Sequence, residues 1–160
     1  MRKAISLMLL AVLGTSARAE DIKDPSDPYG VIKYALPYAE KGNVTGQLTV
    51  ASTYYYGKHV PQDYTKAIKW FRLAAKQGDT TAQNFLALMY LKGQGVTQDP
   101  VRAQMWSDVA AASGKQSRFL TPDDLAQTRS ELAKQLSPKQ AAEAQKIAKE
   151  CIANNYKGCE

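Results

Sequence analysis

One histidine, two cysteines, three phenylalanines and two tryptophans are all that 160 residues contain of those types, and each scarcity closes off chemistry. A Ser-His-Asp site, a histidine-based zinc site or a histidine proton shuttle would each have to use His59. That residue stands in a loop, where a later copy of the same loop has Gly95, so no catalytic residue and no enzyme activity is expected. Metal binding would need clustered His, Cys or carboxylate ligands, and none cluster, so neither a metal nor another cofactor is expected. Gly93-Gln94-Gly95 falls short of a phosphate loop: it follows a helical pattern rather than a strand, and no Gly-Lys-Ser/Thr comes after it.

Long apolar runs are equally scarce. The one candidate, Ile5 to Leu13, is well short of the about 20 residues that span a bilayer. Arg2 and Lys3 precede it and Ala17-Arg18-Ala19 follows, which is the order of a secretory signal with an Ala-x-Ala cleavage site. Residues 1–19 therefore read as a signal peptide, and the mature chain is expected to begin at Glu20, in the periplasm or, as the alternative, secreted. An uncleaved anchor would need a longer run. No Cys follows the cleavage site, so lipid attachment there is not expected, nor is stable membrane insertion after cleavage. Cleavage would also remove Arg2, Lys3 and Arg18, halving the formal charge of +6. What is left does not argue for a nucleic-acid partner.

Both cysteines, Cys151 and Cys159, lie at the end of the chain. An oxidising compartment favours a disulfide between them. Eight residues of unbroken helix rise roughly 12 Å, too far for the about 4.4–6.8 Å between Cα atoms that a disulfide allows. The helix would have to stop, and Asn154-Asn155 with Gly158 offers the turn. A bridge to another chain stays open as an alternative; a redox pair is disfavoured because the spacing is not Cys-x-x-Cys.

What the chain does have is a unit written twice. Residues 43–78 end in WFRLAAKQG and residues 79–114 end in WSDVAAASG. At an offset of 36 without gaps, Ala51 falls on Ala87, Tyr54 on Tyr90, Gly57 on Gly93, Val60 on Val96, Gln62 on Gln98 and Asp63 on Asp99. The matches continue with Ala67 on Ala103, Trp70 on Trp106, Ala74 and Ala75 on Ala110 and Ala111, and Gly78 on Gly114. A fixed period of this length is the mark of a repeat architecture. Each unit reads as two helices: Asn43, Asp63, Asp79 and Asp99 are N-caps, Gly57 and Gly93 close the first helices, and Pro100 suits a first helical position. The same offset places Tyr34 on Trp70, Ala39 on Ala75 and Gly42 on Gly78, so residues 31–41 read as the second helix of an earlier repeat. Residues 20–30, acidic and broken by Pro25 and Pro28, read as a flexible segment. After Gly114 the pattern fails. Thr121-Pro122 and the capping-box pattern Ser137-Pro138-Lys139-Gln140 start two further helices, expected to cap the open end of the stack. Asp123 and Asp124 then belong to a helix N-terminus rather than a metal site.

The run AQNFLALMYLKGQGVTQDPVRAQMWSDVAAASG, and its earlier copy GQLTVASTYYYGKHVPQDYTKAIKWFRLAAKQGD, resemble the Sel-1-like repeat (SLR), a branch of the tetratricopeptide-repeat superfamily. The resemblance covers residues 42–114 in full and 31–41 in part. It implies an all-α fold: an α-solenoid of antiparallel helix pairs, two full repeats plus a leading half repeat over residues 31–114, with a two-helix C-terminal cap over 115–160. Two departures stand out: Ala51 and Ala87 where the family often has Gly, and His59 where the second loop Gly belongs, in a left-handed backbone that His tolerates better than most residues.

Residues that recur one period apart, such as Trp70 with Trp106 and Tyr54 with Tyr90, are assigned to the core. Residues that differ between copies are left for function. The resemblance implies that first helices line a concave surface; by register its binding positions are Thr45, Leu48, Ser52, Tyr55 and Tyr56, then Thr81, Asn84, Leu88, Leu91 and Lys92. Tyr55 and Tyr56 have no aromatic counterpart at Leu91 and Lys92, and surface aromatics suit a protein or peptide partner; the alternative is that neighbouring helices cover them. The reading is an adaptor that binds a protein or peptide on that face. The alternatives are an envelope hydrolase acting on cell-wall or β-lactam-like molecules, against which stands the lack of a nucleophile–base pair, and a glycan or small-ligand binder.

Overall fold

The computed structural model describes residues 28–58 and 60–159. The expectations for residues 1–19, for 20–27 and for the backbone of His59 lie outside them. Among the described residues there are seven α-helices and no strand: α1 (Pro28–Glu40), α2 (Val44–Tyr56), α3 (Tyr64–Ala75), α4 (Thr80–Lys92), α5 (Pro100–Ala112), α6 (Pro122–Gln135) and α7 (Pro138–Ala153). Helix α1 begins three residues earlier than the expected Val31, with Pro28 at a first-turn position where its missing N–H costs no hydrogen bond.

The sequence punctuation sets the helix ends. Side-chain oxygens of Asn43, Asp63, Asp79 and Asp99 each accept the backbone N–H three residues on, at 2.8–2.9 Å. Gly57 and Gly93 close α2 and α4 in the left-handed conformation, φ 63° and 66°. Thr121 with Asp124 and Ser137 with Gln140 form complete capping boxes at α6 and α7.

The paired loop residues also do paired work. The Asp63 amide donates to Tyr54 O at 3.0 Å, and Asp99 to Tyr90 O at 2.9 Å. Gln62 Nε2 donates to Tyr55 O, and Gln98 Nε2 to Leu91 O, both at 2.8 Å. Each loop is thus tied to the carbonyls that end its first helix, which would otherwise lack partners. Gly95 brings the second loop against the start of α3: a Cβ there would stand 2.3 Å from Tyr64 O, so only glycine fits.

Packed pairs α2–α3 and α4–α5 share one core, in which Ala67, Phe71, Ala74, Phe85, Met89 and Trp106 are all buried. A smaller cluster of Ala35, Ala39 and Val50 joins α1 to α2, with Tyr54 and Trp70 bridging the two clusters. At that seam a Cβ on Gly46 would meet Ala39 N at 2.8 Å, so the glycine lets α2 lie close on the end of α1. Helix α1 exposes Val31, Tyr34 and Tyr38. Their copies, Ala67 and Ala74 in α3 and Ala103, Trp106 and Ala110 in α5, are buried. Helices α3 and α5 each pack beside a first helix of their own repeat, and among the described residues α1 has none before it.

The C-terminal pair covers the other end. Helix α7 lies along α5, burying Ala144, Ala148 and Cys151, while α6 reaches both α4 and α5 and buries Leu132. After α7 the chain turns back through Asn155 (φ 51°), Tyr156 (φ 61°) and Gly158 (φ 77°). That turn brings Cys159 to a Cα–Cα distance of 5.1 Å from Cys151, and the two form a disulfide within the chain. The Tyr156 ring rests against Gly78, in the turn between α3 and α4.

Candidate partner-binding surface

First helices α2 and α4 present one stripe each, four positions at helical spacing. On α2 these are Thr45, Thr49, Ser52 and Tyr56; on α4 their copies are Thr81, Phe85, Leu88 and Lys92. The hydroxyls of Thr49 and Ser52 bond back to the carbonyls of Thr45 and Thr49 at 2.9 and 3.1 Å, which leaves few free donors on the α2 stripe. Thr45 and Tyr56 are exposed and Ser52 is half-buried. Tyr56 carries the aromatic end of the stripe, 43% exposed, with Lys58 Nζ 5.6 Å from its ring centroid.

Half of the expected binding positions lie inside the protein. Leu48, Tyr55, Thr81, Asn84 and Leu91 are all buried, leaving Thr45, Ser52, Tyr56, Leu88 and Lys92 at or near the surface. The physical reasons differ. Leu48, Tyr55 and its copy Leu91 sit on the inward side of their helices. Tyr55 is a core ring, edge-on to Tyr64, Phe71 and Phe85 with centroids 4.9–6.1 Å away, and its hydroxyl donates to Gln94 Oε1 at 3.3 Å. Repeat packing therefore does use Tyr55: it abuts the stacked pair Phe71–Phe85, 4.5 Å apart, between one repeat and the next. Burial, together with the neighbouring Tyr64, Tyr56 and Asp124, pushes its phenol up to about 12.

Thr81 is buried because a segment with no copy elsewhere lies on α4. Residues 114–121, between α5 and α6, pass over its stripe: the Arg118 N–H donates to Thr81 Oγ1 at 3.0 Å, and the Phe119 ring stands 6.5 Å from that of Phe85. At the far end of the stripe is Asp124, whose carboxyl is held below the usual carboxylate range by hydrogen bonds from Thr121 and, to a lesser degree, by Lys92. Burial and then the Asp124 charge push the Tyr56 phenol up. Repeat patterning does not single out Arg118 and Phe119, because they fall after the repeats end; the signal they carry in the sequence is a basic–aromatic pair in a non-helical segment. Among the described residues, no group of three or more His, Cys, Asp or Glu is placed to hold a metal ion, and no helix is long and apolar enough to cross a membrane.

Helix pairs stacked at a fixed period, with one end capped, define an α-solenoid repeat protein. The Sel1 repeat model matches residues 46–79 and 80–115, so the chain carries two Sel1 repeats. Such repeats serve in general for protein–protein interaction. Among solved structures, a protective antigen of uropathogenic Escherichia coli strains that displays an SLR fold is similar at a TM-score of 0.69 and 27% identity. That match covers 81% of this chain and 27% of the antigen, so this chain spans about a quarter of it. A Sel1 repeat protein from Oxalobacter formigenes shares the fold at a TM-score of 0.51 and 20% identity, over 76% of this chain and 63% of that one. No curated protein matches the chain.

Proposed function

We propose that the protein is a periplasmic adaptor without catalysis of its own, which binds a protein or peptide partner on the face made by its first helices. The observation that carries this reading is the open stripe of α2, where Tyr56 is an exposed aromatic at a position its copy fills with Lys92. A ring held in a rigid helix gives contact area at little entropic cost, which suits the centre of an interface. Half-buried Leu88 and the exposed Lys92 ammonium extend the face toward α4. The secretory character of residues 1–19 and the Cys151–Cys159 disulfide support an oxidising compartment.

A photo-crosslinking amino acid in place of Tyr56, activated in living cells and followed by mass spectrometry, tests the reading. The expected result is one dominant crosslinked protein from the envelope, absent when the probe replaces exposed Lys146 on α7. The same products from both positions would sink it.

A further inference from the structure

The segment lying on α4 is held by three different contacts. Arg118 Nη2 pairs with Asp79 Oδ2 at 3.4 Å, the Arg118 amide donates to Thr81 Oγ1 at 3.0 Å, and Phe119 lies near Phe85. Each partner on α4 is prepared for the contact. Asp79 already spends Oδ1 on capping α4, which fixes Oδ2 in place, and its side chain is only 9% exposed. Thr81 is 2% exposed, and its hydroxyl receives a backbone N–H, a contact that reads no side chain. Phe85 is part of an aromatic shelf that continues into Tyr56, with ring centroids 6.2 Å apart. Carboxylate, hydroxyl and aromatic shelf follow one another along the first part of the α4 stripe.

The segment holds on loosely by comparison. Phe119 is 46% exposed, and the Arg118 guanidinium lies at the surface, where an ion pair contributes little. Residues 114–121 form no helix of their own, and Leu120 is the half-buried side chain that packs against the core. On α2 the copy of the stripe offers Thr45 and Thr49 where α4 has Thr81 and Phe85, so it lacks the aromatic shelf.

We propose that the stripe along α4 is a site for an extended peptide carrying a cationic residue followed directly by an aromatic one, and that residues 117–121 are its resident occupant, displaced when a partner presents that pair. The proposal rests on the adaptor reading and names the chemistry of its partner. Asp79 selects the cation, Thr81 fixes the backbone register, and Phe85 with Tyr56 receives the ring. Because the occupant is tethered at both ends, it competes from within at high effective concentration, and the site is closed to weak ligands.

The test uses a fluorescent synthetic peptide copying residues 115–121, titrated against the full chain by anisotropy. In the variant Arg118→Gly/Phe119→Gly the resident pair is gone, and the peptide should bind at least about tenfold more tightly than to the unaltered protein, where the tethered segment competes. Adding Asp79→Asn, which keeps the cap and removes the charge, should weaken binding to that variant, and a peptide with Arg and Phe replaced by Ser should not bind. Equal affinity for both proteins, or equal binding of the Ser peptide, overturns the proposal. Should the double variant not fold, hydrogen exchange on the unaltered protein decides: excess peptide should speed exchange of the Arg118 amide, and no change overturns it. Peptide binding without any crosslinked partner would remove the adaptor reading and keep the site; a crosslinked partner without peptide binding would do the reverse.

Discussion

Gln47 and Gln83 make the same hydrogen bond one repeat apart: Gln47 Nε2 donates to Ala39 O at 3.2 Å, and Gln83 Nε2 donates to Ala75 O at 3.3 Å. Both carbonyls lie in the last turn of the second helix before, where intrahelical partners run out. Each accepts the closing glycine's amide, Gly42 N at 3.0 Å and Gly78 N at 2.9 Å, and a buried side-chain amide from the next first helix adds a second hydrogen bond. The contact joins successive repeats rather than the two helices within a repeat.

Gln83→Ala should therefore loosen the stack at its centre. Gln83 is fully buried, and its loss removes a donor to Ala75 O and leaves a void, a cost of about 1–3 kcal/mol. Urea unfolding followed by circular dichroism is expected to give a lower midpoint than for the unaltered protein, and an unchanged midpoint would remove the inter-repeat role.

Trp106 and Trp70 hold the same register position in unequal surroundings. Trp106 is 1% exposed, whereas Trp70 is half-buried at the seam with α1. Trp106→Ala should cost about 3–5 kcal/mol, and Trp70→Ala clearly less. Thermal melts of the two variants side by side check the order; a Trp106→Ala melt at the unaltered temperature would withdraw the core assignment.

Reducing the Cys151–Cys159 bridge frees a short loop whose two half-cystines are both buried. By the chain-entropy relation the loss is about 2–3 kcal/mol, and it should fall on the end of α7 and the Tyr156 contact with Gly78. Hydrogen exchange with and without reductant is expected to rise in residues 148–159 and to stay level in α2 and α3.

Tyr55 predicts a loss of stability in base. Its phenol is raised, chiefly by burial, to about 12 from an ordinary 10.0, so the folded state holds that proton more tightly than the unfolded state. The contribution is complete below pH 10 and is lost as pH rises from about 10 toward about 12. Tyr55→Phe, which keeps the ring and cannot ionise, should flatten the decline in unfolding free energy between pH 9.5 and about 11.5. Parallel curves for the two proteins would contradict the burial of that hydroxyl.

Much of the scaffold was legible because it is written in short-range chemistry. A cap needs only an oxygen and an amide three residues on, and a left-handed closing residue needs only glycine, so Asp63, Asp99, Gly57 and Gly93 declare their roles locally. Comparing copies separated scaffold from surface well where side chains were identical, as at Trp106 and Tyr90. It failed at Tyr55, because a difference between copies can mean a different core packing as well as a free surface. Adjacent tyrosines on a helix point about 100° apart, and of Tyr55 and Tyr56 only the second faces out.

By itself the sequence determined the period, the helix ends, the two Sel1 repeats and the need for a turn between Cys151 and Cys159, since each follows from spacing along the chain. Which part of the first-helix face stays open was decided in three dimensions. Residues 117–121 have no copy to be compared with, and their seat on Thr81 and Phe85 joins positions 37 and 34 residues apart in the chain. No periodicity reports a contact of that kind, because it depends on where α6 and α7 leave the connecting segment once they have covered the end of the stack.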